Sequence, residues 1–128
     1  MRDILFKGKR EYGEWVEGYA IHEKESGKYG ILTGELYDSN ENERLIVFEV
    51  DPETICQYIG LKDKTGKRIF EGDIVEGWFN HEKVRGRIFY GSDATFFIQR
   101  KGLYGIVLNN AEDWVEVIGN VFDDPVEG

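Results

Sequence analysis

A chain of 128 residues with 41% apolar and 14% aromatic side chains is long enough for one domain, or one domain with a small β subdomain, and too apolar for a disordered tail. Its 25 acids against 16 bases give a net charge of −9, which opposes binding to a nucleic-acid duplex unless the bases cluster. The single cysteine, Cys56, excludes an internal disulfide and points to a reducing compartment, and no apolar run approaches a membrane span.

At the N-terminus, residues 1–7 carry charges on both sides of three apolar residues, too short a run for a secretory signal core. The chain is therefore expected to be soluble and cytoplasmic. From there the pattern is one of short strands. Period-2 alternation and β-branched or aromatic residues predict strands at 4–9, 15–21, 29–33, 45–50, 54–58, 73–79, 83–89, 95–99, 104–108 and 115–121. Turn signals separate them: Tyr12-Gly13, Ser26-Gly27, Asp63-Lys64-Thr65-Gly66, Gly91-Ser92-Asp93 and Asn109-Asn110. Helix periodicity is absent over any ten residues. Two single turns are expected, one with Asp51 capping and Pro52 in first position, the other over Ala111–Trp114.

Many short strands must avoid open edges, and a small closed or nearly closed barrel does so. The second half fits this best. Gly72-Asp73-Ile74-Val75 opens a strand, a hairpin pivots near residues 80–82, a basic strand follows, and a third strand begins after Gly91-Ser92-Asp93. That series resembles SH3-like barrels. The expected fold is mainly β, with a small SH3-like β-barrel in the C-terminal half (59–128) and an N-terminal β extension (1–58).

Several stretches point to one family: Phe6-Lys7-Gly8-Lys9-Arg10, Gly13-Glu14-Trp15-Val16-Glu17-Gly18-Tyr19, Val50-Asp51-Pro52-Glu53-Thr54 and Gly60-Leu61-Lys62-Asp63-Lys64. Ile69-Phe70-Glu71-Gly72-Asp73-Ile74-Val75, Val117-Ile118-Gly119-Asn120-Val121-Phe122 and Asp124-Pro125 complete the pattern. With these at their spacings the chain resembles the YopX family of phage and prophage proteins. Ile59 departs from the pattern, where threonine is more typical, and the acidic insert at residues 38–43 is individual to this chain. The resemblance implies a phage or prophage gene product, the SH3-like barrel and the N-terminal β extension. It implies no catalytic residues.

The charges segregate. Residues 35–53 hold seven acids against Arg44 alone, while bases gather at Lys7/Lys9/Arg10, Lys62/Lys64/Lys67/Arg68 and Lys83/Arg85/Arg87. In the last group, alternation puts Lys83, Arg85 and Arg87 on one side and Val84, Gly86 and Ile88 on the other. Together with Trp78 they form the expected binding face. Asp63, Glu71 and Asp73 are considered as a metal cluster for a hydrolase, but turn chemistry accounts for them. Asp38-Ser39-Asn40-Glu41-Asn42-Glu43 through Glu49 has calcium-loop spacing, yet Glu43 stands where the sharp turn demands glycine. His22, His81 and Cys56 follow no catalytic spacing, and Cys56 reads as a buried, inert thiol.

No enzyme, cofactor or metal is therefore expected. The reading is a non-enzymatic accessory protein that binds a protein partner or self-associates, most directly through Trp78, Lys83, Arg85 and Arg87. A nucleic-acid-binding barrel using the same face, with nearby aromatics as stacking surfaces, is the alternative; the acidic net charge disfavours it.

Overall fold

A computed structural model describes residues 4–37, 39–91, 95–100, 102–103 and 105–124, with residues 35–37 as backbone. The chain divides into two compact units, Met1–Gln57 and Tyr58–Gly128. The protein is mainly β, with antiparallel pairing throughout the described strands.

In the first unit, β1 (Phe6–Lys9), β2 (Trp15–His22), β3 (Tyr29–Tyr37) and β4 (Glu43–Glu49) form successive hairpins. Across the sheet the order is β4-β3-β2-β1, and the first two residues of β5 (Cys56–Lys62) pair with Lys7 and Phe6 of β1. The β1–β2 turn closes through Arg10 N–H donating to Glu14 O at 2.8 Å, with Gly13 at φ +90°. Among the described residues of this unit, Ile31, Val50 and Cys56 are buried apolar side chains. The connection into β5 is a single 3-10 turn, Pro52–Thr54, where the Asp51 carboxylate accepts from Glu53 N–H at 3.0 Å. Both the cap and the first-position proline follow the sequence expectation.

In the second unit the rest of β5 forms a hairpin with β6 (Arg68–Phe70). A five-stranded sheet follows, built from β7 (Asp73–Phe79), β8 (Glu82–Tyr90), β9 (Phe96–Gln99), β10 (Ile106–Val107) and β11 (Val115–Asn120), in the order β10-β9-β8-β7-β11. The helical turn α1 (Ala111–Trp114) lies where the sequence places it. One face of this sheet buries Val75, Val84, Ile88, Ile98, Val115 and Val117 against Ile59, Ile69, Leu108 and Ala111. At about 1.5–3 kcal/mol for each fully buried aliphatic side chain, this cluster is the main stabilising mass of the unit.

Gly77 is required by close packing. A Cβ there would stand 2.2 Å from the Trp114 carbonyl oxygen and 2.9 Å from its ring, so α1 and β7 approach only because that atom is missing.

The mainly β architecture follows the expectation, and two details add to it. β10 and β11 stand at opposite edges of the five-stranded sheet, so the described strand pairing does not close into a barrel. β6 was not among the expected strands: it has only three residues and runs directly into the turn at Glu71-Gly72 that leads into β7. Residues 92–94 of the Gly91-Ser92-Asp93 turn, Tyr104 and the C-terminal Pro125 lie outside the described residues.

Candidate functional site: the outer face of β7 and β8

The β7–β8 hairpin turns through Asn80 and His81, whose φ angles of 50° and 65° are the left-handed pair of a type I′ turn. A two-residue loop fixes the register: Phe79 pairs with Glu82, Trp78 with Lys83, Glu76 with Arg85 and Ile74 with Arg87. Directly opposite residues share a face. Glu76 and Trp78 therefore join Lys83, Arg85 and Arg87 on the side away from the core, while Val75, Gly77, Val84, Gly86 and Ile88 turn inward. β9 adds Gln99 opposite Arg87 and Phe97 opposite Phe89; β11 adds Glu116 opposite Glu76.

All four residues expected from the sequence thus meet on one sheet face. Trp78 is 67% exposed. Glu76 takes two of the cations: Lys83 Nζ lies 3.1 Å from its Oε1 and Arg85 Nη1 lies 3.8 Å from its Oε2. Arg87 has a neutral partner, its Nη2 donating to Gln99 Oε1 at 2.7 Å, and its Nε is buried without an acceptor. Three cations therefore share this face with the carboxylates of Glu76 and, opposite it, Glu116. Phe89 and Phe97 stack at 5.3 Å beyond Arg87, and Lys64 draws Glu116 to 3.9 Å at the other side. The exposed pairs contribute little stability, about 0–1 kcal/mol each; what they set is the potential of the face.

Glu76 and Gln99 were not singled out from the sequence. The signal for Glu76 is present in it: once Asn80 and His81 are taken as a two-residue turn, counting outward puts Glu76 opposite Arg85. Gln99 depends on the β8–β9 register, which the turn at residues 91–95 does not specify.

The carboxylates considered for a metal do other work. Asp63 is buried, and both its oxygens are engaged. Oδ1 accepts from Thr65 N–H at 2.9 Å, Thr65 Oγ1 at 2.7 Å and Lys67 N–H at 2.9 Å, and Oδ2 accepts from Val117 N–H at 2.9 Å. Burial pushes its pKa up, but the Val117 hydrogen bond, the Thr65 hydroxyl and the Lys67 and Thr65 amides together hold it below the ordinary value. Asp73 Oδ2 accepts from Phe70 N–H at 2.8 Å, and Glu71 is exposed. Among the described residues, no group of three or more His, Cys, Asp or Glu is placed to hold a metal ion. In the calcium-like spacing Asp38 lies outside the described residues, Glu43–Glu49 is strand β4, and Glu49 pairs with Lys28 at 3.5 Å.

His22 stacks on Tyr29 with ring centroids 4.1 Å apart, His81 occupies the exposed hairpin turn, and Cys56 is buried with Sγ donating to Thr54 O at 3.2 Å. A cleft of about 580 Å³ in the first unit is lined by Arg10, Tyr12, Glu49 and Asp51 among others, and one of about 360 Å³ in the second by Tyr58, Lys62 and Glu112 among others. Neither lining includes those histidines or the cysteine.

Two of the stretches that carry the family resemblance, residues 69–75 and 117–122, meet in the second unit. Asn120 pairs with Asp73 and Gly119 with Ile74, and Val121 N–H donates to Gly72 O at 2.9 Å. Asn120 Oδ1 then accepts from Phe122 and Asp123 N–H at 3.0 and 2.9 Å, closing the turn after β11. Those motifs build the framework of the second unit.

Two antiparallel sheets, one turn of α-helix among the described residues and an aromatic, basic outer face define a mainly β protein. No described helix is long and apolar enough to cross a membrane. The family model described as YopX protein matches residues 6–127, nearly the whole chain, and the chain belongs to the YopX family. No curated protein matches it.

Proposed function

We propose that this YopX family member is a non-enzymatic accessory protein of a phage or prophage, acting in the host cytoplasm, and that the outer face of β7 and β8 binds protein, either a partner or a second copy. The observation that carries the reading is Trp78, two-thirds exposed and directly opposite Lys83, on the strand pair that also carries Arg85 and Arg87. Exposed tryptophan and arginine on a rigid sheet are the side chains that most often anchor protein interfaces. In this reading the second unit is a variant of the SH3-like barrel. β7 to β10 form a meander, a helical turn precedes the last strand, and β11 returns to pair with β7.

The test is affinity purification from lysate of a lysogenic host after nuclease treatment, comparing the native chain with the Arg85→Glu, Arg87→Glu variant. A nuclease-resistant partner, or recovered second copies, held by the native chain and lost from the variant is the expected result. Identical recoveries from both would sink the assignment to this face.

A nucleic-acid reading draws on the same cations and on the stacked Phe89 and Phe97. Glu76 stands within the basic stripe and the chain carries net −9, which weakens it. Its discriminator is association that falls steeply with salt and disappears with nuclease.

A further inference from the structure

Resting on the reading that this face binds protein, we infer that its occupant is an extended acidic segment of a partner protein, with carboxylates at alternate positions and an apolar side chain at one end. Arg87 gives the first reason. It is half-buried, its only described hydrogen bond is to the neutral amide of Gln99, and its Nε has no acceptor, so its charge has no carboxylate partner among the described residues. A half-buried guanidinium held by a neutral amide is oriented but not neutralised, and a carboxylate reaching Nη1 supplies the missing charge.

Spacing gives the second reason. Lys83, Arg85 and Arg87 lie at alternate positions of one strand, so their stems repeat every ~6.6 Å, twice the strand rise. An extended segment has the same repeat, which lets alternate carboxylates meet successive cations without bending. Glu76 already sits between Lys83 and Arg85 at 3.1 and 3.8 Å and shows the stripe accepting a carboxylate. At the Lys83 end, Trp78 offers an exposed apolar surface directly opposite.

The probe is a fluorescein-labelled heptapeptide with glutamate at three alternating positions and a leucine beside the last. Controls are the glutamine counterpart and a single-stranded decadeoxynucleotide. The glutamate peptide is expected to bind the full chain at least about tenfold more tightly than either control, with affinity falling as salt rises. Arg87→Gln should weaken it at least about tenfold, and Arg87→Lys less. Arg85→Gln, at an exposed position, is the second variant if Arg87→Gln does not fold. Equal binding of the glutamine peptide, tighter binding of the oligonucleotide, or indifference to both arginine substitutions overturns the inference. If the acidic peptide fails while charge reversal still strips the nuclease-resistant partner, the occupant is wrong and the protein-binding face stands. If charge reversal changes nothing either, both fall.

Discussion

Asp63 ties together residues 54 positions apart, and substituting it measures how much of the second unit depends on one carboxylate. In Asp63→Asn, the amide is expected to keep its oxygen toward Thr65 and Lys67 and turn its NH₂ toward Val117 N–H, donor facing donor. The lost charge-assisted bond is worth about 1.5–3 kcal/mol, and the stranded buried N–H costs about 1–3 kcal/mol more. These overlap, so the net loss is about 3–4 kcal/mol. At about 3 °C per kcal/mol for a chain of this size, the midpoint falls by about 10 °C. Thermal and urea unfolding, followed by far-UV circular dichroism and tryptophan fluorescence, reads this directly.

The pH dependence carries its own sign. The folded-state pKa lies below the ordinary value of 3.8, so the carboxylate's contribution is complete above the unfolded value and is lost as pH falls through the folded one. The gap between the native chain and Asp63→Asn should be constant from pH 7 to about 5 and narrow below about pH 4. A midpoint change under about 2 °C at pH 7, or a gap that widens on acidification, would refute the reasoning.

Gly77→Ala should cost about 2–4 kcal/mol, because its Cβ meets the Trp114 carbonyl oxygen at 2.2 Å and displaces α1; the same unfolding curves check it. His81→Gly should stabilise by about 0.5 kcal/mol, since relief of a left-handed non-glycine residue, about 1–2 kcal/mol, exceeds the added unfolded-chain entropy. Trp78→Ser should leave stability within about 0.5 kcal/mol, its side chain being mostly exposed, while removing association. Cys56 should resist a thiol reagent in the folded protein and react at once in denaturant, because it is buried against Thr54 O.

Much of this fold is legible in local chemistry. Asp51-Pro52 and Asp63-Lys64-Thr65-Gly66 specify their own turns, and Gly66 takes the left-handed φ of +88° that the latter needs. Alternation in Lys83 to Phe89 places the basic stripe. Sequence alone does not reveal what a strand distant in the chain contributes. Val117 as the fourth donor to Asp63 follows from the β11 pairing, and the register of that pairing shifts between Val117 and Gly119, a bulge with no local signature. β6 is three residues long and shares its buried Ile69 and Phe70 with a stretch dominated by turn residues, so period-2 alternation never becomes visible. The calcium-like spacing of residues 38–49 shows the reverse limit: Glu43–Glu49 is a paired strand, which the spacing itself does not disclose.

The most direct test of the binding face is photo-cross-linking in lysogenic cells from a benzoylphenylalanine placed at position 78, with the same residue at the exposed position of Lys24 as control. A discrete protein adduct from position 78, absent from the control and lost when Arg85 and Arg87 are reversed, is the outcome the account predicts. No adduct at position 78, or the same adducts from both positions, would contradict it.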